Sequence, residues 1–296
     1  MITVKNKIAK RQNQIYADLH FHSTFSDGKF TPEFLADYLN KNKISVAALT
    51  DHDTINGFDE FKKYFQGIAI TGVELSACFR NEDVHILGYG FDPKNEDILF
   101  NLNKYQNYRK KRIYTICEKL NGLKIKILPE TIFNMVGSDT ALGRPHVAQA
   151  LINAGFVNSM REAFIEYIGY ECPAYVPKEK MTLDQAIKLI HNADGIAILA
   201  HPGLYKNDYI LEEIVTYPID GIELYHSSNG KNMMSGILNI VEKFDLIVTG
   251  GSDFHQLNWQ GKNLLGKLGI DHDRWVELKN ILIEKDTFIA KDIFNK

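Results

Sequence analysis

Short apolar runs recur along the chain and alternate with longer amphipathic stretches. Several of these runs are continuously apolar rather than alternating, which is typical of parallel strands buried on both faces. The predicted strands cover residues 15–20, 44–50, 68–74, 84–91, 196–201, 221–225 and 246–250. Alternation of strands with helices on this scale predicts a βα architecture, either a closed barrel or an open sheet.

Helical periodicity fills most of the intervals between the predicted strands. One helix is expected to begin at Thr31 and Pro32, because threonine is a favoured N-cap and proline a favoured first helical residue. Further helices are predicted over residues 56–66, 182–193, 231–244 and 274–284.

Residues 95–178 interrupt the alternation, because they carry helical patterns without a convincing strand. A long helix with a basic segment at 108–112 is predicted over 95–121, followed by helices near 129–136, 145–154 and 159–168. We therefore predict a barrel domain formed by residues 1–94 and 179–296, with 95–178 inserted as a helical cap over the active site. The alternative is that the insertion is a surface subdomain.

Composition narrows the class of protein. The chain has 296 residues, 45% apolar and 24% charged, with 34 basic and 37 acidic residues for a net charge of −3. This balance excludes a globally basic nucleic-acid coat and an acidic disordered chain. No apolar run approaches the about 18 residues of a membrane span, and the N-terminus lacks the apolar segment of a secretory signal.

The three cysteines are far apart and form neither a Cys-x-x-Cys zinc motif nor a disulfide framework. A reduced, cytoplasmic protein that contacts no membrane is therefore expected. The sequence gives no reason to expect an obligate protein partner.

Histidines and acidic residues cluster at the ends of the predicted strands. The carboxyl ends of parallel strands face one mouth, so these side chains should converge. His20 and His22 project to the same side of an extended chain, and Asp253 and His255 share that spacing. A lone histidine is more often a hydrogen-bonded core residue. However, seven of the ten histidines lie at strand ends beside acidic residues, and buried carboxylates are costly without a cation.

A mixed imidazole and carboxylate set suits zinc, manganese or iron better than calcium. The sequence therefore predicts a transition-metal site at the barrel mouth. His191, within a helical pattern, and His272, in a charged loop, are expected to be structural or exposed.

Six spaced motifs in this chain resemble those of the PHP (polymerase and histidinol phosphatase) domain family. They are Asp-Leu-His-Phe-His-Ser at 18–23, Leu-Thr-Asp-His-Asp at 49–53, Gly-Val-Glu-Leu-Ser at 72–76, His-Ile-Leu-Gly-Tyr at 85–89, Ala-His-Pro at 200–202 and Gly-Ser-Asp-Phe-His at 251–255. The resemblance implies a distorted seven-stranded βα barrel with a trinuclear metal centre. The insertion and Gly-Arg-Pro-His at 143–146 look most like bacterial 3′,5′-nucleoside bisphosphate phosphatases that also trim RNA from its 5′ end.

The resemblance implies three metal sites and two to three divalent ions. The first site would use His20, His22, Glu74 and Asp253; the second Glu74, His85 and His201; the third Asp27, His52 and His255. Asp27 stands where some histidinol-phosphatase relatives carry histidine, which favours harder ions such as Mn²⁺ over Zn²⁺ or Fe²⁺. Asp51 and Asp53 are expected to support the ligands or cap the chain.

Within this scheme Glu74, Asp253 and His226 are the candidate catalytic residues. Glu74 would bridge two ions, and His226 would bind the substrate phosphate or act as an acid, unless it merely hydrogen-bonds a ligand. The expected reaction is hydrolysis of a phosphate ester in a nucleotide or a short 5′-phosphorylated RNA. Two alternatives are a small-metabolite phosphatase, such as a histidinol phosphatase, and a non-catalytic metal-stabilised module.

Substrate binding is predicted at a separate group of residues. Arg144 could clamp a second phosphate in bidentate fashion, and Lys178 could bind it as a point charge, although it is equally well an ordinary solvated lysine. His146 and His226 complete the candidate substrate-binding set. Together with Arg109 and Arg112, Arg144 and His146 favour a substrate with more than one phosphate.

Overall fold

The computed structural model describes residues 14–205, 208–257 and 263–289. The basic N-terminal stretch and the outer ends of the predicted barrel segments therefore lie outside the described residues. The strands are β1 (Ala17–Phe21), β2 (Val46–Leu49), β3 (Ile68–Phe79), β4 (Glu82–Tyr89), β5 (Met181–Thr182), β6 (Ile196–Leu199), β7 (Gly221–Tyr225) and β8 (Ile247–Gly250).

Seven strands form one mixed sheet in the order β1-β2-β3-β4-β6-β7-β8, and the two-residue β5 pairs with β3. The chain that follows β8 returns to β1 through a bridge between Phe21 and Phe254. The sheet therefore nearly closes into a barrel, which confirms the predicted seven-stranded architecture.

Helices surround this barrel. They are α1 (Pro32–Lys41), α2 (Phe58–Tyr64), α3 (Glu96–Gly122), α4 (Pro129–Phe133), α5 (Arg144–Asn153), α6 (Met160–Ala163), α7 (Leu183–His191), α8 (Asp208–Ile214), α9 (Lys231–Phe244) and α10 (His272–Glu284). Helix α6 continues into a π-helical turn at Phe164–Ile168, and a 3₁₀ turn covers Pro202–Leu204. As predicted, Thr31 caps α1, its side chain accepting a hydrogen bond from the Phe34 amide. Among the helices that the structure describes, none is long and apolar enough to cross a membrane.

Two details of the sequence prediction are wrong, and one helix was missed. The third strand does not end at Glu74 but runs on to Phe79, because its outer half pairs with β4. His272 lies at the start of α10 rather than in a loop, since Asp271 caps that helix by accepting from the Arg274 amide. Helix α8 is too short to show a clear period and was not predicted.

The β3–β4 pair is an antiparallel hairpin, and β4 also pairs antiparallel with β6, while the other neighbouring strands of the barrel pair in parallel. Its turn, Arg80 and Asn81, has both residues at positive φ, as a two-residue hairpin turn of the favoured twist requires. Because β4 runs in the reverse direction, its first half lies at the mouth where the parallel strands end. This reversal brings His85 opposite Ser76, two residues beyond Glu74.

The long helix α3 belongs to two separate cores. Its first half packs Ile98, Leu102 and Tyr105 against the barrel. Its second half, from Ile113 to Leu120, packs against α5 and its neighbours in a core made only of insertion residues. Helix α3 therefore joins the insertion rigidly to the barrel.

Candidate metal centre

Backbone pairing brings the strand-end residues together at the barrel mouth. His20 lies on β1, Glu74 on β3 and His85 on β4, while His52 follows β2 and forms an isolated bridge with Glu74. The segment after β8 lies along β1, and the amide of Asp253 donates to the carbonyl of His20 at 2.7 Å. The predicted convergence of residues distant in sequence is therefore confirmed.

Glu74 lies at the centre of the cluster and is 1% exposed. Its Oε2 is 2.9 Å from His52 Nδ1 and 3.1 Å from His22 Nε2. His20 Nε2 lies slightly farther from the same oxygen, at 3.4 Å. One carboxylate oxygen thus faces three imidazole rings, two from the end of β1 and one from the segment after β2.

The other oxygen of Glu74 faces a second pair of rings. Glu74 Oε1 is 2.6 Å from His85 Nδ1 and 3.0 Å from His201 Nε2. These two ring nitrogens are 3.2 Å apart. A carboxylate flanked on both oxygens in this way can bridge two cations.

Asp253 closes the first cluster. Its Oδ1 is 3.4 Å from His20 Nε2 and 3.2 Å from His22 Nε2. The ligand atoms of His20, His22, Glu74 and Asp253 all lie within 4.8 Å of one another. The resemblance to the PHP family implied these same four residues as one site.

Asp27 anchors a second group at the side of the mouth. Its Oδ1 is 3.2 Å from His255 Nε2 and 3.9 Å from His52 Nε2. His22 joins this group, since its ring stacks on that of His255 with centroids 4.0 Å apart. A third group consists of His52, Glu74 and His85, with His201 in contact as described above. The structure therefore brings together all nine predicted ligands.

The donor set fits a metal cluster because its polar atoms are buried without hydrogen-bond partners. Among the described residues, five such atoms face one another here at ion-pair distances without hydrogen-bond geometry: His20 Nε2, His22 Nε2, Asp27 Oδ1, His52 Nδ1 and Glu74 Oε2. Unsatisfied buried polar groups are expensive. Imidazole nitrogens and carboxylate oxygens aimed at common points are the ligands that divalent transition metals use.

Protonation in the cluster is divided unevenly among the rings. Burial lowers the pKa of His22, but contacts with Asp253 and Glu74 outweigh it and raise that pKa to about 10. Burial lowers the pKa of His52 to about 4, against the attraction of Glu74 and Asp27. Burial would raise the pKa of Glu74, yet His52, His85 and His20 hold it well below its usual value. Cations that bind here would displace protons from the rings.

Backbone geometry shows that these positions are held by the surrounding fold. His201 and Asp253 both have positive φ, at 28° and 47°, a region that non-glycine residues rarely occupy. Gly251 allows the segment to approach β1, since a Cβ there would lie 2.3 Å from the Cβ of His20. Any larger residue would push Asp253 away from the cluster.

Two buried acids that support the ligands were not identified from the sequence. Glu223, on β7 and 0% exposed, places Oε1 3.1 Å from His20 Nδ1 and accepts from the His201 amide at 2.8 Å. Asp18 accepts from the amides of Ser252 and Gly266, and burial raises its pKa to about 6. Their only signal in the sequence is an acid within an apolar strand.

Asp51 and Asp53 support the mouth, as expected. Asp51 accepts from Ser23 and from the Ser26 hydroxyl. Asp53 has φ of 51° and accepts from the Ser76 amide at 2.7 Å. Its Oδ2 also accepts from Arg109 of α3, which is 7% exposed.

Lys178 lies beside this ion pair. Its Nζ is 3.4 Å from Asp53 Oδ2 and donates to Ser76 Oγ. Burial, with Arg109 next, lowers the pKa of Lys178 to about 8. Lys178 is therefore a partly buried amine at the rim of the mouth rather than a solvated surface residue.

Arg144 and His146 occupy the start of α5. His146 is buried, accepts from the Gly143 amide, and lies within electrostatic reach of Asp27. The Arg144 guanidinium donates to the Ile168 carbonyl at 3.2 Å and lies over the Phe164 ring. These contacts place His146 toward the metal ligands and Arg144 within the insertion; the substrate-binding role of both stays a prediction.

His226 borders the first cluster. Its Nε2 is 3.2 Å from Asp253 Oδ2, and its Nδ1 is 2.7 Å from the hydroxyl of Ser228. Its place outside the predicted ligand groups agrees with the structure.

Fold and site together define a mixed barrel with a histidine and carboxylate cluster suited to several divalent ions. The family profile described as the PHP domain matches residues 18–195. The chain belongs to the PHP domain family.

Bacterial relatives are similar to this protein over most of the chain. A 5′-3′ exoribonuclease from Haemophilus influenzae is 34% identical, over 83% of this chain and 93% of that protein. A 3′,5′-nucleoside bisphosphate phosphatase from Chromobacterium violaceum is 30% identical, over 83% and 90% respectively. A crystal structure from Bifidobacterium adolescentis, whose assignment as a metal-dependent phosphoesterase is itself inferred, superposes with a TM-score of 0.82 at 29% identity, covering 93% of this chain and 98% of that one.

Proposed function

We propose that this protein is a metal-dependent phosphoesterase that removes phosphate from 3′,5′-nucleoside bisphosphates and acts on short 5′-phosphorylated RNA. The observation that supports this proposal is the cluster around Glu74, where five buried histidine and carboxylate atoms face one another without hydrogen-bond geometry. Its relatives named as a bisphosphate phosphatase and an exoribonuclease support this substrate class. A cytoplasmic location is part of the proposal, consistent with free cysteines at Cys78, Cys117 and Cys172.

The nine residues of the three predicted sites would hold two to three divalent ions, with Mn²⁺ favoured because Asp27 supplies a carboxylate oxygen to the third group. They are His20, His22, Asp27, His52, Glu74, His85, His201, Asp253 and His255. Bound ions would supply hydroxide near neutral pH and positive charge against the phosphate oxygens.

The chain's own groups hold and orient the substrate. The Nε2 of His226 faces Asp253, and Ser228 fixes the opposite ring nitrogen. In this position His226 binds the scissile phosphate or holds a proton for the leaving oxygen. Glu74 and Asp253 act by keeping the metal-ligating side chains in position.

Residues of the insertion, 95–178, would form a cap that binds the phosphate that is not cleaved. The loop before α5 packs on the mouth, since the Ala141 amide donates to the Phe25 carbonyl at 2.7 Å. Lys178 and His146 lie at the rim, and Arg144 supplies a guanidinium farther out. The barrel would then consist of 1–94 and 179–296.

Hydrolysis of a substrate panel tests the proposal, measured as inorganic phosphate for the phosphomonoesters and as released mononucleotide for the oligonucleotide. The panel holds adenosine 3′,5′-bisphosphate, 5′-AMP, 3′-AMP, histidinol phosphate and a 5′-phosphorylated oligonucleotide, each with Mn²⁺. The bisphosphate should give the highest kcat/KM. A preference for histidinol phosphate would replace the proposal with the small-metabolite alternative, and no hydrolysis of any compound would favour a non-catalytic module.

Arg144→Ala tests the role of the cap. Losing one charge-assisted contact costs about 1.5–3 kcal/mol, or about 10- to 150-fold in kcat/KM. The loss should fall on the bisphosphate and spare an aryl phosphate, while Arg144→Lys should retain part of the preference. Equal losses on both substrates would contradict a role in binding the second phosphate.

A further inference from the structure

Four cations of the insertion lie close together beyond the metal centre. Arg112 donates from Nε to the Val176 carbonyl at 2.8 Å. Burial, then Arg144 and Arg109, lowers the pKa of Arg112 to about 10. Arg109 and Arg112 likewise act on the pKa of Lys178. Asp53 contacts Arg109 and Lys178, and Asp83 acts on Arg112 and Lys178, so the four cations face two carboxylates and the region keeps excess positive charge.

An aromatic surface borders these cations. The Arg144 guanidinium carbon lies 5.5 Å from the centroid of the Tyr175 ring. Tyr175 meets Tyr170 edge to face, with centroids 5.5 Å apart. Tyr170 is 73% exposed, although large aromatic rings usually bury much of their surface. Lys119 of α3 donates to the Tyr175 carbonyl and holds this segment of the chain against the helix.

The segment 175–178 connects the aromatic surface to the metal centre. It has no helical or strand pairing, and it leads from Tyr175 to Lys178, whose amine contacts Asp53 next to His52. Three residues of extended chain span roughly 10 Å. The segment is therefore long enough to separate Tyr175, and Tyr170 before it, from the metal ligands. We name Lys178, Arg112, Arg144, Tyr175 and Tyr170 the cap track.

We propose that the cap track binds single-stranded polynucleotide: the cations that hold the uncleaved phosphate of a mononucleotide also contact the backbone of a longer strand, and a base beyond the terminal nucleotide stacks on Tyr170. Proteins that bind single strands without sequence preference combine a cationic groove with exposed aromatic rings. Glu171 follows Tyr170 and is exposed, so stacking rather than charge is the contact at the outer end. The inference rests on the proposed function and names how a polymeric substrate is held.

Tyr170→Ala tests the stacking contact. The measured quantity is the ratio of kcat/KM for a 5′-phosphorylated tetraribonucleotide to that for adenosine 3′,5′-bisphosphate. Stacking of one base is worth about a 5- to 150-fold effect, so the ratio should fall by that factor. Tyr170→Phe keeps the ring and should stay within about twofold of wild type. Phe100→Ala removes a similarly exposed ring of α3 outside the cap track and serves as the control.

A binding measurement distinguishes this inference from the proposed function, because it does not require hydrolysis. The probe is the same tetranucleotide with phosphorothioate linkages, which resist hydrolysis, and a 3′ fluorescein read by anisotropy. Weaker binding by Tyr170→Ala, with Phe100→Ala unchanged, supports the cap track even if the enzyme hydrolyses none of the panel compounds.

Two results would overturn the inference while leaving phosphatase activity intact. One is unchanged tetranucleotide binding and an unchanged kcat/KM ratio in Tyr170→Ala. The other is an equal loss on the tetranucleotide and the mononucleotide, because the ring would then serve the terminal nucleotide itself.

Discussion

The barrel mouth and the insertion differ in how their residues reach one place. At the mouth, strand pairing alone sets the positions, so that His22 and Glu74 meet at 3.1 Å although 52 residues separate them. In the insertion, side-chain positions depend on helix packing and long loops. Arg144 contacts Tyr175, which lies in the chain after the π-helical turn at Phe164–Ile168. We therefore expect the barrel to determine the chemistry and the insertion to determine substrate choice.

A buried ion pair connects the two regions, and breaking it should have the largest effect on stability. Arg109→Met leaves Asp53 buried without its guanidinium, which costs about 3–5 kcal/mol in the free energy of unfolding. Urea or thermal unfolding measures the loss. The double variant with Asp53→Asn should recover part of it, because both charges are then removed.

Arg80→Ala is the matched control for the ion pair. Arg80 pairs with Glu213 on the surface, with an exposed fraction of 68% for the arginine, and such pairs contribute about 1 kcal/mol or less. If the two variants lose equal stability, the insertion is not joined to the barrel through Asp53.

Within the mouth, Glu223 should affect metal binding without touching the substrate. Glu223→Gln keeps the shape but removes the charge opposite His20 Nδ1. Removing such a supporting partner weakens metal affinity by about 10- to 100-fold. Competition with a chelator for Mn²⁺ measures this loss of affinity.

Asp220→Asn provides the comparison, because this buried carboxylate lies before β7 at the opposite end of the barrel. Metal affinity should be unchanged in this variant. An equal loss in both variants would mean that Glu223 acts through general stability rather than on His20.

The smallest effect on stability is expected from a change in pH that protonates Asp220, at the end of the barrel opposite the mouth. Burial would raise the pKa of Asp220, but His191, Lys285 and the Ala197 amide lower it overall. A depressed carboxyl pKa contributes stability that is present above the unfolded value of about 3.9 and is lost as pH falls through the folded value.

Wild type should therefore lose stability below about pH 4 more steeply than Asp220→Asn, by about 1 kcal/mol. Thermal unfolding from pH 3 to pH 7 measures the difference. Parallel curves for the two proteins would contradict it.

Sequence patterns predicted the barrel and the convergence of its ligands, because the apolar runs that mark the strands end in the histidines and acids that mark the ligands. They could not show that β4 runs antiparallel, since the Arg80-Asn81 turn lacks the glycine that marks most two-residue hairpins. Glu223 was missed because a single acid in an apolar strand has no pattern. Tyr170 was missed because exposure depends on tertiary packing.

The central claim is that the residues around Glu74 hold several divalent ions, and the metal content of the purified protein tests it most directly. Elemental analysis should find about two to three equivalents of transition metal per chain. Glu74→Gln should retain fewer, while Asp220→Asn keeps the full content. No bound metal in the wild-type protein, with phosphate release unaffected by chelator, would contradict the account.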